Sequence, residues 1–484
     1  MPEGGDTLKY TKSRSRIIIR CVSLVLLSLL MVILSINLAS CGKNISVGSK
    51  LPEDAPQYLT DVYGDLTKEG IIVHYDPEIL GEIPTPQKEY SAFPPVQVPD
   101  NWVIGELEWS THKAATTPYG LISLADFYGD YVLTQVPKED YMPSPLRPNA
   151  TKPILKLYKR KNAGGPFPKK LTESDYALVK TLDKASEDQP YPQNQVAELS
   201  DGFVVWQASS NEFNMNWQIW GYDINKDKEF LICSYKDHAI PNDRGDINSF
   251  PVYILVKEKN ILLISFVERD PDEKLRGKIF SYDLASEKIS KVISSDKYMY
   301  SSPLLLDTYL YASRFDLYQH IEDRPQYTPS SVVRVDLHTG EEKVIISHEN
   351  FSVVSACQEE VCLVPLSLDY QFHDIWVLNT KTNEMTCYMH VPVEKGAMPG
   401  ITLTQDGILY SSGQGNQIPY YFYSFNRRRA FYTGPQLTSP DSHGCFLIMK
   451  TNFDIYYPPP PFDYEGKKRR LEGYSTFVIV KPEQ

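Results

Sequence analysis

A short polar turn followed by an apolar strand recurs along most of this chain, and that recurrence limits the fold more than any other feature. It appears as Gly129-Asp130 before Tyr131-Val132-Leu133, Asp201-Gly202 before Phe203-Val204-Val205-Trp206, and Lys259-Asn260 before Ile261-Leu262-Leu263-Ile264. It returns as Asp307-Thr308 before Tyr309-Leu310-Tyr311, Glu359-Glu360 before Val361-Cys362-Leu363-Val364, Asp406-Gly407 before Ile408-Leu409-Tyr410, and His443-Gly444 before Cys445-Phe446-Leu447-Ile448. Self-similarity at a period of about 40–50 residues marks an array of one supersecondary unit. A second unit follows most copies: an aromatic or aliphatic strand, then Asp or Asn, then a short polar turn. Its copies are Trp220-Gly221-Tyr222-Asp223, Phe280-Ser281-Tyr282-Asp283, Val333-Arg334-Val335-Asp336, Trp376-Val377-Leu378-Asn379 and Tyr423-Ser424-Phe425-Asn426. Asp and Asn suit that place because their side chains bond to the backbone two residues on and start a turn.

Two hairpins per repeat make a four-stranded sheet with two apolar faces, which has to stack on neighbours. Radial stacking of such sheets predicts an all-β protein, a β-propeller of seven blades over residues 101–484, with six blades as the alternative. The Asp336-Leu337-His338-Thr339-Gly340 turn resembles those that end blades in the broad class of bacterial propeller proteins. The last copy is short of a strand beside Ser475-Thr476-Phe477-Val478-Ile479-Val480. Trp102-Val103-Ile104-Gly105-Glu106-Leu107 is the expected supplier, and closure of this kind removes exposed sheet edges. Composition agrees: Tyr (33) and Pro (36) are abundant, as in chains of many short strands and turns.

The start of the chain reads differently. Residues 1–20 are polar and basic, residues 21–39 are almost wholly apolar, and the run ends in Leu38-Ala39-Ser40-Cys41-Gly42. Basic, then apolar, then small is the order of a secretory signal. The ending resembles the lipobox of bacterial lipoproteins. That resemblance implies a signal peptide over 1–40, cleavage before Cys41 and a diacylglycerol on its sulfur. An uncleaved anchor is the alternative, since the run is long enough to span a bilayer. Both readings leave the rest outside the cytoplasm, with membrane lipid as one partner through Cys41. Residues 41–100 carry Pro52, Pro56, Pro77, Pro84, Pro86, Pro94, Pro95 and Pro99 and read as a Pro-rich tether.

Formal charge is −12, and the basic signal makes the remainder more acidic still. That argues against nucleic acid as a partner. Cys357 and Cys362 bracket Gln358-Glu359-Glu360-Val361, a hairpin turn; a disulfide and a pair of buried thiols both fit this spacing.

Propeller topology puts the first and third turns of each blade at one end and the second turns at the other. The second turns are long and rich in aromatics, acids and amides, and long loops on a rigid scaffold are where binding resides. The expected ligand-binding residues are Tyr141, Phe213, Tyr318, His320, Tyr370, Phe372 and His373. Aromatic faces that stack beside polar groups that orient suit a protein, peptide or glycan. No cofactor, metal site or catalytic residue is expected. Asp270, Asp272 and Glu273 lack the rest of a calcium loop, and neither Gly-x-Ser-x-Gly nor His-Glu-x-x-His occurs. The sequence therefore favours a binding module over an enzyme; the alternative is an extracytoplasmic polysaccharide lyase or hydrolase using His320 or His373.

Overall fold

The computed structural model describes residues 45–46, 70–79, 102–111, 123–138, 152–164, 170–187, 192–210, 216–235, 252–269, 274–317, 331–347, 351–365, 372–392, 400–411, 420–434, 446–451 and 473–482. The apolar run 21–39 and Cys41 lie outside them. Apart from one turn of 3-10 helix at Glu173–Asp175, the named elements are strands. No helix among the described residues is long and apolar enough to cross a membrane.

Among the described residues the strands form seven sheets, six of four strands and one of six. Sheet 1 begins with Ser123–Tyr128, sheet 2 with Pro192–Ser200, sheet 3 with Val252–Val256 and sheet 4 with Tyr298–Leu306. Sheet 5 begins with Phe351–Cys357, sheet 6 with Ile401–Thr404 and sheet 7 with Phe446–Thr451. Sheets 2, 3, 4 and 6 are simple antiparallel meanders of four consecutive strands.

The apolar runs are continuous because the second strands of sheets 1 to 6 are buried on both sides. In sheet 2, Val204 and Trp206 pack with Leu133, Leu155 and Leu157 of sheet 1. Their neighbours Phe203 and Val205 pack with Leu255, Leu262 and Ile264 of sheet 3. Leu263 faces the other way, toward Leu305 and Leu310 of sheet 4. Tyr311 then meets Val353, Val361 and Leu363 of sheet 5, and Cys362 and Val364 meet Leu403, Ile408 and Tyr410 of sheet 6. Arg429–Gly434 of sheet 6 lies beside Phe446–Thr451 of sheet 7. Leu107 and Leu171 of sheet 7 pack with Phe127 and Val132 of sheet 1.

Sheet 7 joins the last described strand to a strand that precedes sheet 1. Trp102–Thr111 runs antiparallel to Gly473–Pro482 in unbroken register, from Trp102 opposite Pro482 to Thr111 opposite Gly473. Lys170–Thr172 completes its edge in parallel.

The third turns repeat closely. The Oδ1 of Asp223, Asp336 and Asn379 each accepts two backbone N–H groups of the following turn. Asp283 accepts one, from Ser286. In sheet 6 that role falls to Ser424 rather than the expected Asn426, because the strand ends at Ser424 and its Oγ takes the Arg427 N–H. Four residues on, the chain turns left-handed each time, at Asp227, Glu287, Gly340, Asn383 and Arg428. Two first turns also shift by one residue: Glu360 and Gly407 already belong to their strands.

Within the segment expected as a tether, Ile72–Ile79 forms a strand parallel to Glu384–Pro392, the outer strand of sheet 5. Cys357 and Cys362 are free thiols. Cys357 lies opposite Glu360 and Cys362 opposite Ser355, so the two sit diagonally rather than face to face. Burial pushes the Cys357 thiol up to about 11 and Cys362 higher still.

Candidate functional site

The first strands of the sheets are linked by polar side chains. In sheet 1 the linking residue is Asp126, in sheet 2 Glu198 and in sheet 5 Ser355, each two residues before its strand ends. Asp126 Oδ2 accepts the Leu199 N–H at 2.7 Å, Glu198 Oε2 accepts Leu255 N–H at 3.0 Å, and Ser355 Oγ accepts Leu403 N–H at 2.9 Å. Each acceptor therefore reaches the next sheet's first strand, one residue before its end. A register shift precedes all three acceptors, so their strands bulge at the contact. A related bond joins sheets 4 and 5, where Val353 N–H donates to Ser313 Oγ at 2.8 Å.

The first two links share a cation. Lys257, just past the first strand of sheet 3, places Nζ 2.7 Å from Asp126 Oδ2, and both side chains are buried. Asp126 Oδ1 also accepts the Phe127 N–H. This carboxylate is thus occupied on both oxygens, which suits a pin between sheets 1, 2 and 3 rather than a ligand. Burial pushes the partly buried Glu198 carboxyl up to about 7, with Lys257 and the Leu255 N–H pulling against that rise.

The opposite strand ends carry the second turns. Loop 139–151 of sheet 1 starts and finishes on a polar staple. Lys138 N–H donates to the Lys152 carbonyl at 2.8 Å, closing the loop's base. The buried Lys152 ammonium sits 2.8 Å from Asp183 and 3.3 Å from Glu187, and Lys138 sits 2.6 Å from Glu187. The Glu187 carboxyl is held below its ordinary range by Lys138 first and Lys152 second. Beneath them the fully buried Asn194 donates to the Pro153 carbonyl and to Asp183. It also accepts from Lys184 N–H, Ala185 N–H and the Trp206 indole. In sheet 4 the base of the second turn holds Arg314, which pairs with Glu342 at 2.6 Å and lies 4.0 Å from the Tyr298 ring centre.

Of the residues expected to bind ligand, Tyr141, Phe213, Tyr318, His320 and Tyr370 lie outside the described residues. Phe372 and His373 open the third strand of sheet 5, opposite Pro392 and Val391. Sequence reasoning missed Asp126, Glu198 and Asn194. The available signal was a carboxylate or amide in an otherwise apolar first strand, as in Leu124-Ala125-Asp126-Phe127 and Val196-Ala197-Glu198-Leu199. Among the described residues no cluster of His, Cys, Asp and Glu is arranged to hold a metal ion.

No family model and no curated protein matches this chain. Solved structures similar to it include the β-propeller domain of the Trilobed protease from Pyrococcus furiosus, at 13% identity and a TM-score of 0.44, covering 68% of this chain and 89% of that one. The acylaminoacyl peptidase of Pyrococcus horikoshii is 12% identical with a TM-score of 0.46; the match covers 70% of this chain and 50% of the peptidase. An oligogalacturonate lyase in complex with manganese is 10% identical with a TM-score of 0.42, over 79% and 98% of the two chains.

Proposed function

We propose that this chain is a seven-bladed β-propeller held outside the cytoplasm by a lipid on Cys41, and that it binds a protein, peptide or glycan through its second-turn loops. The observation that carries the reading is the contrast between the two ends of the sheets. At the first- and third-turn end, side-chain oxygens are spent on backbone N–H groups and on Lys257. At the other end, the buried Lys152 ammonium on Asp183 and the Lys138 N–H on the Lys152 carbonyl fix the base of the long loop 139–151. A rigid frame under variable loops is the arrangement binding sites use. Six junctions between consecutive sheets, the packing of sheet 7 on sheet 1, and the pairing of Trp102–Thr111 with Gly473–Pro482 support a closed ring. Tyr141, Phe213, Tyr318, His320, Tyr370, Phe372 and His373 are the residues assigned to the ligand.

The test is a glycan and peptide array probed with the full chain. Replacing loops 139–151 and 366–371 with Gly-Ser turns should abolish array binding. Replacing His338, in a third turn, with Ala should leave it intact. Array binding that survives the loop exchange would place the ligand elsewhere.

A further inference from the structure

The segment after Cys41 is knit into one particular sheet. Ile72–Ile79 adds in parallel to the outer strand of sheet 5, from Ile72 beside Glu384 to Ile79 beside His390. Its attachment goes beyond the ladder. Ile72 N–H donates to the Asn383 carbonyl at 2.9 Å, and the Asn383 amide donates to the Gly70 carbonyl at 2.6 Å. Ile71 and Val73 are buried in the cluster that holds Ile345, Leu378 and Met385. The Tyr75 ring lies 5.8 Å from that of Trp376. The far edge of this strand is taken in turn by Ile45–Ser46, antiparallel, with Ile45 opposite Tyr75 and Ser46 opposite His74.

Ile45 follows Cys41 by four residues, and a chain spans at most about 3.6 Å per residue. Cys41 therefore lies within about 14 Å of the outermost edge of sheet 5. The first strand of that sheet is five strand positions inward, about 24 Å at the usual spacing. Lipid chains on Cys41 enter the hydrocarbon layer, so the bilayer surface lies at that outer edge. The outer sides of sheets 1, 2 and 3 are joined by salt bridges, Lys180–Asp227, Lys184–Glu229 and Lys228–Glu287, charged pairs suited to water.

We propose that the outer edge of sheet 5 faces the bilayer, so that the molecule stands edge-on and its loop end and short-turn end both open sideways along the membrane. This rests on the lipoprotein reading and gives it an orientation. A free tether of the length expected from the sequence would impose none.

The experiment uses the full lipidated chain in vesicles of phosphatidylethanolamine and phosphatidylglycerol that carry a nitroxide headgroup lipid. A fluorophore is placed at Ile72→Cys, exposed on the strand added to the outer side of sheet 5, or at Leu231→Cys, exposed on the outer strand of sheet 2, with Cys357 and Cys445 replaced by Ser. Quenching at 72 should exceed that at 231 several-fold. Equal or reversed quenching in a chain that floats with the vesicles overturns the orientation alone. A chain that carries no diacylglycerol by mass spectrometry and does not float overturns the lipoprotein reading and the orientation with it. A second arm needs no membrane: Ser46→Cys with His74→Cys should oxidise to a disulfide, whereas Ser46→Cys with Leu178→Cys should not. Failure of the first pair to cross-link removes the contact on which the orientation depends.

Discussion

At the scale of single residues, the fold rests on positions whose chemistry is dictated by backbone geometry. In the five third turns of sheets 2 to 6 the fifth residue is left-handed, and in sheet 4 it is a glycine, Gly340. A left-handed L-residue costs about 1–2 kcal/mol. Gly340→Ala should therefore lower stability by about 1 kcal/mol, and Arg428→Gly should raise it by up to about 1 kcal/mol, both read from urea melts. Glu198 makes a pH prediction. Its folded carboxyl titrates near 7 and its unfolded one near 4.3. Between those values the folded state holds a proton that the unfolded state has lost, so stability falls as pH rises from about 4.5 to about 7. Glu198→Gln should flatten this fall, which is worth on the order of 1–2 kcal/mol once solvent screening is allowed for. Identical pH slopes for the two proteins would refute that account.

At the scale of elements, the links between first strands decide how the sheets are indexed. Asp126→Ala would strip the buried Lys257 of its counter-charge and leave the Leu199 N–H without its acceptor. Losing one partner of a buried pair costs about 3–5 kcal/mol, whereas double replacement by apolar residues costs less. Comparing Asp126→Ala with Asp126→Leu/Lys257→Met by thermal melting checks this. Much of the element order is readable directly from sequence, because strands buried on both faces leave unmistakable runs such as Phe203-Val204-Val205-Trp206. Strand Ile72–Ile79 was not readable. It contains Asp76 and Pro77 and no alternation, and it exists because sheet 5 offers an edge, not because its own pattern demands a strand. The same holds for Asp126 and Glu198: a lone acid in an apolar strand reveals that a partner exists, but the partner comes from another repeat, 73 or 57 residues away.

At the scale of the whole molecule, sheet 7 is the junction on which the succession of sheets depends. Removing Gly473–Pro482 deprives both Trp102–Thr111 and Phe446–Thr451 of their shared neighbour. The truncated chain should lose its single cooperative thermal transition, and circular dichroism against temperature would show it; an unchanged melting curve would mean the sheets stand without this closure. The pairing of 102–107 with 475–480 was legible, since two orphan apolar strands remained at opposite ends of the repeat. Of the expected ligand residues, Tyr141, Phe213, Tyr318, His320 and Tyr370 lie outside the described residues, and loop composition carries no information on how side chains converge.

That shared sheet also sets a timetable. Contacts between residues about 370 apart in sequence form slowly and late. A nascent chain offers Trp102–Thr111 only the short edge of Lys170–Thr172 until Gly473–Pro482 has been made. Until then sheet 7 lacks a central strand, so the pairing that spans the whole repeat is the last step of assembly.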